Sequence, residues 1–403
     1  MTWLDLVVEQ HKEYETPLEF WYWAALASIS AIVKDNVFLP RAGLYDSYPN
    51  IYVILHADSG LKKGPPISMA AQLVKEINNT HVIAGRSSIQ GIMKLISTGK
   101  SDPSSPTGIK VDTSAFICAS ELSSSLVEDK ASLDILTDVY DRSYRHADYE
   151  SILKMEFFTL KKPNFVILGG INNAHSEVFF SKKDINGGFI ARSFIIHENK
   201  RNLANALIDR PSVIPNYKAL AVYLKELSKL KGGFLELNTS NPVGRLYHDW
   251  YHDFIKQVDL TDMKDATGTL NRHSESVMKV AMLISLSQEP KLEISISAME
   301  QSIDRCSKLI GNVRRTTLGS GKSSFAEHKK LLILELLDRP NHTITREQLN
   351  NKYYMHASHE EWDKICEQLE IAKAIRSEAM GNIITYVMQE EQVEILKKYF
   401  RGK

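Results

Sequence analysis

Residues 50–77 constrain this chain more than any other segment. Asn50–His56 (N-I-Y-V-I-L-H) is a continuous apolar run, the pattern of a strand buried on both faces. The turn Ala57-Asp58-Ser59-Gly60-Leu61-Lys62-Lys63-Gly64 follows, and Pro66–Ile77 then shows helical spacing at Ile67, Ala70, Ala71, Val74 and Ile77. Strand, turn and helix in this order let backbone N–H groups and a helix N-terminus converge on phosphate. The standard phosphate-loop spacing is G-x-x-x-x-G-K-[ST]. With Lys63 as its lysine, only Ser59-Gly60 and Lys63 keep their types. Ala57 and Lys62 replace the glycines, and Gly64 replaces the hydroxyl residue that ligates magnesium. The competing reading is a surface turn with an ordinary Lys-Lys pair. The apolar strand, and prolines at Pro65-Pro66 where a first helical turn accepts them, favour the phosphate loop. Gly321-Lys322-Ser323 matches the end of the motif better, but Thr316 stands where the first glycine belongs and no strand precedes it.

Further apolar runs follow, separated by helical patterns. His81–Ala84 reads as a short strand, Ser88–Ile96 as an amphipathic helix and Leu133–Tyr140 as another helix. Ala115–Ala119, Phe165–Leu168 and Phe189–His197 read as strands of a parallel, helix-covered sheet, which makes the fold class α/β. The strand ends carry the candidate chemistry. Glu121, after Ala119-Ser120, is placed to activate water, and Ser120 stands where a magnesium-associated Asp is expected. Asn172 or Asn173 is placed to orient the attacking water, and Arg192 to act as an arginine finger. Arg272, at the start of a helical stretch, is placed to reach phosphates from a helical lid. Each has a plainer reading: a solvated carboxylate, an Asx turn, surface cations.

Composition narrows the partners. The 403 residues carry 49 basic and 49 acidic side chains, so no whole-chain field attracts nucleic acid and any contact needs a local patch. Three cysteines, Cys118, Cys306 and Cys366, lie far apart without CxxC spacing, which fits a reducing compartment and neither a disulfide framework nor structural zinc. Trp21–Val33 is apolar but too short to span a bilayer, and no signal-peptide pattern precedes it. A cytoplasmic protein without membrane contact is the expectation.

The expected organisation is an N-terminal helical segment (1–45), an α/β core (46–215), a helical lid (216–318) and a domain at 325–403. In the last, three helices and a hairpin around Met380-Gly381-Asn382 follow the winged-helix order. Its third helix, Ser358–Ile371, carries Glu360, Asp363, Glu367 and Glu370 and repels phosphate, leaving Arg376 on the hairpin as its main route to DNA. Between the second and third long strands, Arg142, Arg145, His146 and Tyr149 combine charge and stacking surface, as a grip on single-stranded DNA needs; a solvated loop is the alternative.

As an ordered set, 48-YPNIYVILHADSGLKKGPP-66, 115-AFICASELSS-124, 164-NFVILGGINN-173, 187-GGFIARSFII-196 and 270-LNRHSESVMKVAMLISL-286 resemble a family of helicase-like or primase-associated P-loop ATPases from phage, prophage and plasmid replication modules. The likeness covers roughly residues 1–315. That family is similar to RecA-like and AAA+ ring ATPases, including the minichromosome-maintenance type. The resemblance implies a P-loop core binding ATP and Mg2+ through Ser59, Gly60, Leu61, Lys62, Lys63 and Gly64. It makes Glu121 the second acidic residue of its strand, Asn172 or Asn173 the polar sensor, Arg192 a finger toward a neighbouring subunit and Arg272 the lid arginine. It also implies a hexameric ring on single-stranded DNA, with primase or other replication proteins as partners, in a host cytoplasm if phage-encoded. Gly64 and Ser120 depart from the family's Ser/Thr and Asp, and both departures remove a magnesium partner.

Overall fold

The computed structural model describes residues 1–403 except 86–87, 98–99, 102–108, 111, 123–131, 146–148, 154–155, 161, 173–187, 205–213, 261–267, 318–325, 382 and 402–403. The chain divides into two compact units, 1–179 with 183–307, and 308–403 with 180–182.

At the centre of the larger unit lie five parallel strands: β1 (Tyr52–Ala57), β2 (His81–Ala84), β3 (Ser114–Ala119), β4 (Asn164–Asn172) and β5 (Ser193–His197). Their spatial order is β5-β1-β4-β3-β2. Every residue of β1 and β3 is buried, which is why both read as unbroken apolar runs. The chain leaves β1 toward β2 and leaves β4 toward β5, in opposite directions. The C-terminal ends of these adjacent strands therefore form a switch point, where open α/β sheets bind ligands.

Helices cover the sheet: α1 (Trp3–Gln10), α2 (Leu18–Val33), α3 (Gly64–Ile77), α4 (Ile89–Ser97) and α5 (Ser132–Arg145). The apolar N-terminal run is the central helix. From Phe20 to Val33 every residue of α2 is buried, against β1, β3, β4, β5 and α3. Thr16 does not cap it, as its position before Pro17 suggests. Its hydroxyl instead donates to the Lys62 carbonyl at 3.2 Å, and Pro17 occupies the cap without a side-chain bond. The helices after residue 215 are α6 (Tyr217–Leu227), α7 (Pro242–Leu260), α8 (Thr269–Gln288) and α9 (Ile296–Thr317). α6 packs on α1, α2 and α3, α8 packs on α1 and α2, and residues up to 307 share the sheet's compact unit. α8 is buried continuously from Val277 to Ser287.

A hairpin absent from the sequence reading pairs Val37–Arg41 with Tyr45–Ser47 through Ala42 (φ 50°) and Gly43 (φ 69°). The smaller unit runs α10 (Ala326–Asp338), β6 (Thr343–Thr345), α11 (Arg346–Tyr353), α12 (His359–Ile371), β7 (Ile375–Met380), β8 (Ile383–Met388) and α13 (Glu390–Arg401). The three strands form an antiparallel sheet ordered β6-β8-β7. Its core centres on Leu336, Ile344, Trp362, Ile365 and Tyr386. The expected hairpin is present, with the short β6 and the terminal α13 as additions. Arg376 is paired with Glu378 on its own strand, and Arg346 neutralises Asp363 of the acidic α12.

Candidate functional site

The turn after β1 is held by its own backbone and by the N-terminal helices. Gly60 takes φ 90° and Lys62 φ 52°, left-handed conformations that turn the chain sharply into α3. Lys62 points away from the turn, paired with Glu15, and its carbonyl accepts the Thr16 hydroxyl. Lys63 goes inward. It is 7% exposed, and its Nζ donates to the carbonyls of Ala57 at 2.8 Å and Asp58 at 3.1 Å. Burial lowers its pKa, while the nearby charges of Glu121 and Asp58 pull the other way. The two adjacent lysines thus have opposite roles.

Glu121 reaches this lysine because β4 carries two glycines. A Cβ on Gly170 would lie 2.4 Å from the Ser120 carbonyl oxygen and 3.5 Å from Lys63 Cβ, and one on Gly169 would lie 2.8 Å from Leu122 Cδ1. Gly169-Gly170 therefore lets the Ser120–Leu122 turn cross the tip of β4 toward the 57–64 turn. β4 continues past them to Asn172, whose register partner is Ala57. Asn172 thus stands at the tip between β1 and β3, half-buried.

A cavity of about 240 Å³ opens between α3 and the ends of β2 and β3, lined by Gly64, Ser68, Gly85, Ser120 and Glu121 among others and by neither Lys63 nor Asn172. Ser68 is absent from the sequence reading, yet it lies one helical turn beyond Gly64 on the same face of α3. Among the described residues no cluster of three or more His, Cys, Asp or Glu could hold a metal. Mg2+ does not need one, since it binds through one or two carboxylates, phosphate oxygens and water. Glu121 with the hydroxyls of Ser120 and Ser68 fits such a set. The start of α3 is poorer in donors than a usual phosphate loop, because Pro65 and Pro66 have no N–H.

His56 and His197, neighbours on β1 and β5, also belong to this end of the sheet, with their Nδ1 atoms 2.9 Å apart. Glu198 follows; burial and then Glu19 push its carboxyl up to about 7. Their positions at strand ends, His56 just before the turn, were the signal that could have flagged them.

Other expected residues lie elsewhere. Arg192 sits in a short 3-10 turn before β5, so it is at the sheet edge opposite the phosphate-loop turn. It is 8% exposed and donates from Nη1 to the Gly188 carbonyl at 2.8 Å. Arg272 lines a different cavity, with Arg41 and Tyr247. Arg142 and Arg145 fall in the last turn of α5, and Tyr149 begins a two-stranded ribbon, 149–153 with 156–160. His146 and Asn173 lie outside the described residues.

No protein-family model matches the chain, and no curated protein matches it significantly in sequence. Among the described residues no helix is long and apolar enough to cross a membrane.

Proposed function

We propose that the chain is an ATP-dependent, helicase-like motor of a mobile-element replication system, with a RecA- or AAA+-like P-loop core that works as a ring on single-stranded DNA. The observation that carries this reading is the convergence of Lys63, Asn172 and Glu121 at the C-terminal ends of three adjacent parallel strands. β4 lies between the strand that precedes Lys63 and the strand that precedes Glu121. It lets an amide reach the space between a phosphate and a water-activating carboxylate.

In this reading Lys63 and the turn's N–H groups hold the outer phosphates, and Glu121 accepts the proton of the attacking water. Mg2+, supplying charge neutralisation on the phosphates, would be held beside Ser120, Ser68 and Glu121. Arg192 would serve the phosphates of a neighbouring copy, after releasing the Gly188 carbonyl. The DNA part of the reading is supported by the ordered sequence resemblance and by the charge and stacking surface that Arg142, Arg145, His146 and Tyr149 combine in the sequence.

The test is ATP turnover by the full chain with and without single-stranded DNA. Glu121→Gln should cut DNA-stimulated turnover at least about a hundredfold, the range for losing a general base, while calorimetric ATP binding persists. Equal turnover in both proteins overturns the assignment of Glu121, and a wild-type chain that neither binds nor hydrolyses ATP overturns the whole reading.

A second reading, a nucleotide-binding assembly factor that has lost efficient hydrolysis, is favoured by Gly64, Ser120 and Pro65-Pro66. One substitution separates the two. A Cβ at Gly64 meets nothing within 4 Å, and its φ is not positive, so Gly64→Ser fits without strain. It restores the hydroxyl a phosphate loop offers to magnesium. On the motor reading it should raise turnover by about tenfold, a shift of about 1.4 kcal/mol in the barrier. ATP binding without turnover, unchanged by Gly64→Ser, decides for the second reading.

A further inference from the structure

A cavity of about 780 Å³ lies away from the 57–64 turn. It lies between the 37–47 hairpin, α7 and α8, beyond the N-terminal end of β1. Tyr140, on its wall, packs edge-on against Tyr52, the first residue of β1. The length of β1, about 3.3 Å per residue, separates it from Lys63.

Its lining combines tyrosine rings with two arginines, Arg41 and Arg272, and two carboxylates, Glu236 and Glu275. Tyr247 and Tyr251, one turn apart on α7, are stacked with centroids 6.2 Å apart and planes 16° from parallel. Tyr45 on the hairpin and Tyr251 on α7 each leave 36% of their surface exposed. The Arg41 guanidinium sits 5.9 Å from the centre of the Tyr45 ring, and Arg272 lines the same space. The Arg41 guanidinium donates to the Tyr247 hydroxyl and lies near the Glu275 carboxylate, while its buried Nη1 has no hydrogen-bond partner and can donate to a ligand oxygen. The nearby carboxylate of Glu275 already accepts the Ser47 hydroxyl.

We infer that this cavity is a second binding site and takes an unpaired nucleotide unit, its base stacked on Tyr45 or Tyr251 and its phosphate on Arg41 and Arg272. Rings that accept any base, interleaved with guanidiniums, are the chemistry that holds single-stranded nucleic acid. A lipid tail would find too many polar groups here, and a bare anion would leave the rings unused. The inference reassigns Arg272 from ATP to this site. It rests on the single-stranded nucleic-acid part of the reading above, not on its ATPase part.

The test uses the full chain in EDTA without ATP, so the phosphate loop plays no role. Two probes are photocrosslinked and the modified residues mapped by mass spectrometry: an oligodeoxythymidine carrying one 5-iododeoxyuridine, and free 5-iododeoxyuridine monophosphate. The expected result is crosslinking of the oligonucleotide to Tyr45, Tyr247 or Tyr251, with Tyr251→Ser and Tyr45→Ser each weakening it about tenfold. Crosslinking by the mononucleotide alone keeps the site but makes its ligand a free nucleotide, and removes the DNA part of the proposed function. Oligonucleotide crosslinks only outside the cavity, or affinity unchanged in both variants, overturn the site and leave the DNA reading standing. Absence of binding by either probe overturns both.

Discussion

Lys63→Ala is expected to reduce DNA-stimulated ATP turnover by about a thousandfold, while Lys62→Ala leaves it within about threefold. The first figure is the scale on which one preorganised donor to a developing charge acts in a dry site. Lys63 meets that description. It is 7% exposed, beside Glu121, and held by two carbonyls that a phosphate oxygen would displace as partner. Lys62 carries the same charge one residue earlier but is turned outward into an ion pair with Glu15, half-exposed and of little energetic weight. The pair is therefore an internal control, since a surface turn with two ordinary lysines predicts equal effects. Initial rates at saturating DNA, with circular dichroism to confirm folding, decide the matter. Equal turnover in the two variants ends the phosphate-loop assignment. Lys63→Arg adds a check on geometry, because a planar guanidinium keeps the charge but not the position of a compact ammonium.

The sheet was legible because its strands are buried on both faces, so apolar runs mark them without needing alternation. Where reading fell short, a local rule was overridden by a close approach. Phe165–Leu168 stops at Gly169 by propensity, yet the strand runs on to Asn172, because those glycines are required by Ser120 and Leu122 crossing above them. The 37–47 hairpin was hidden by its turn, since Ala42 at φ 50° is not the Asn-Gly or Asp-Gly pair that announces such turns. Phe189–Arg192 reads as strand but forms a turn and a 3-10 segment, with Arg192 bonded back to Gly188. Lys63, Asn172 and Glu121 lie at one end of the sheet because each follows or ends a parallel strand. Arg192 precedes its strand, and that alone places it at the opposite edge. Arg272 carried no such marker, because helix order does not reveal which cavity a helix start faces.

Lys279→Ala is expected to destabilise the larger unit by roughly 3 kcal/mol, on the scale of about 1–3 kcal/mol for a buried polar group left without its partner. Its side chain is 0% exposed, and Nζ donates to the carbonyls of Tyr48 at 2.8 Å and Asn50 at 3.3 Å and to Asn50 Oδ1 at 2.5 Å. Nζ also lies 4.4 Å from the centre of the Tyr140 ring. Truncation leaves those oxygens buried without a donor and opens a void between α8 and the segment leading into β1. Lys279→Met fills the void but not the hydrogen bonds, so it should recover only the packing part. Unfolding can be followed separately in the two units. Trp3, Trp21, Trp23 and Trp250 report the larger unit, and Trp362→Phe removes the fluorescence of the smaller one. A loss below about 1 kcal/mol would mean that water or rearranged neighbours satisfy the Tyr48 and Asn50 oxygens. Because those residues lead directly into β1, a large loss should also lower ATP affinity in chains that remain folded. That would couple the cavity end of the strand to the phosphate-loop end through one buried amine.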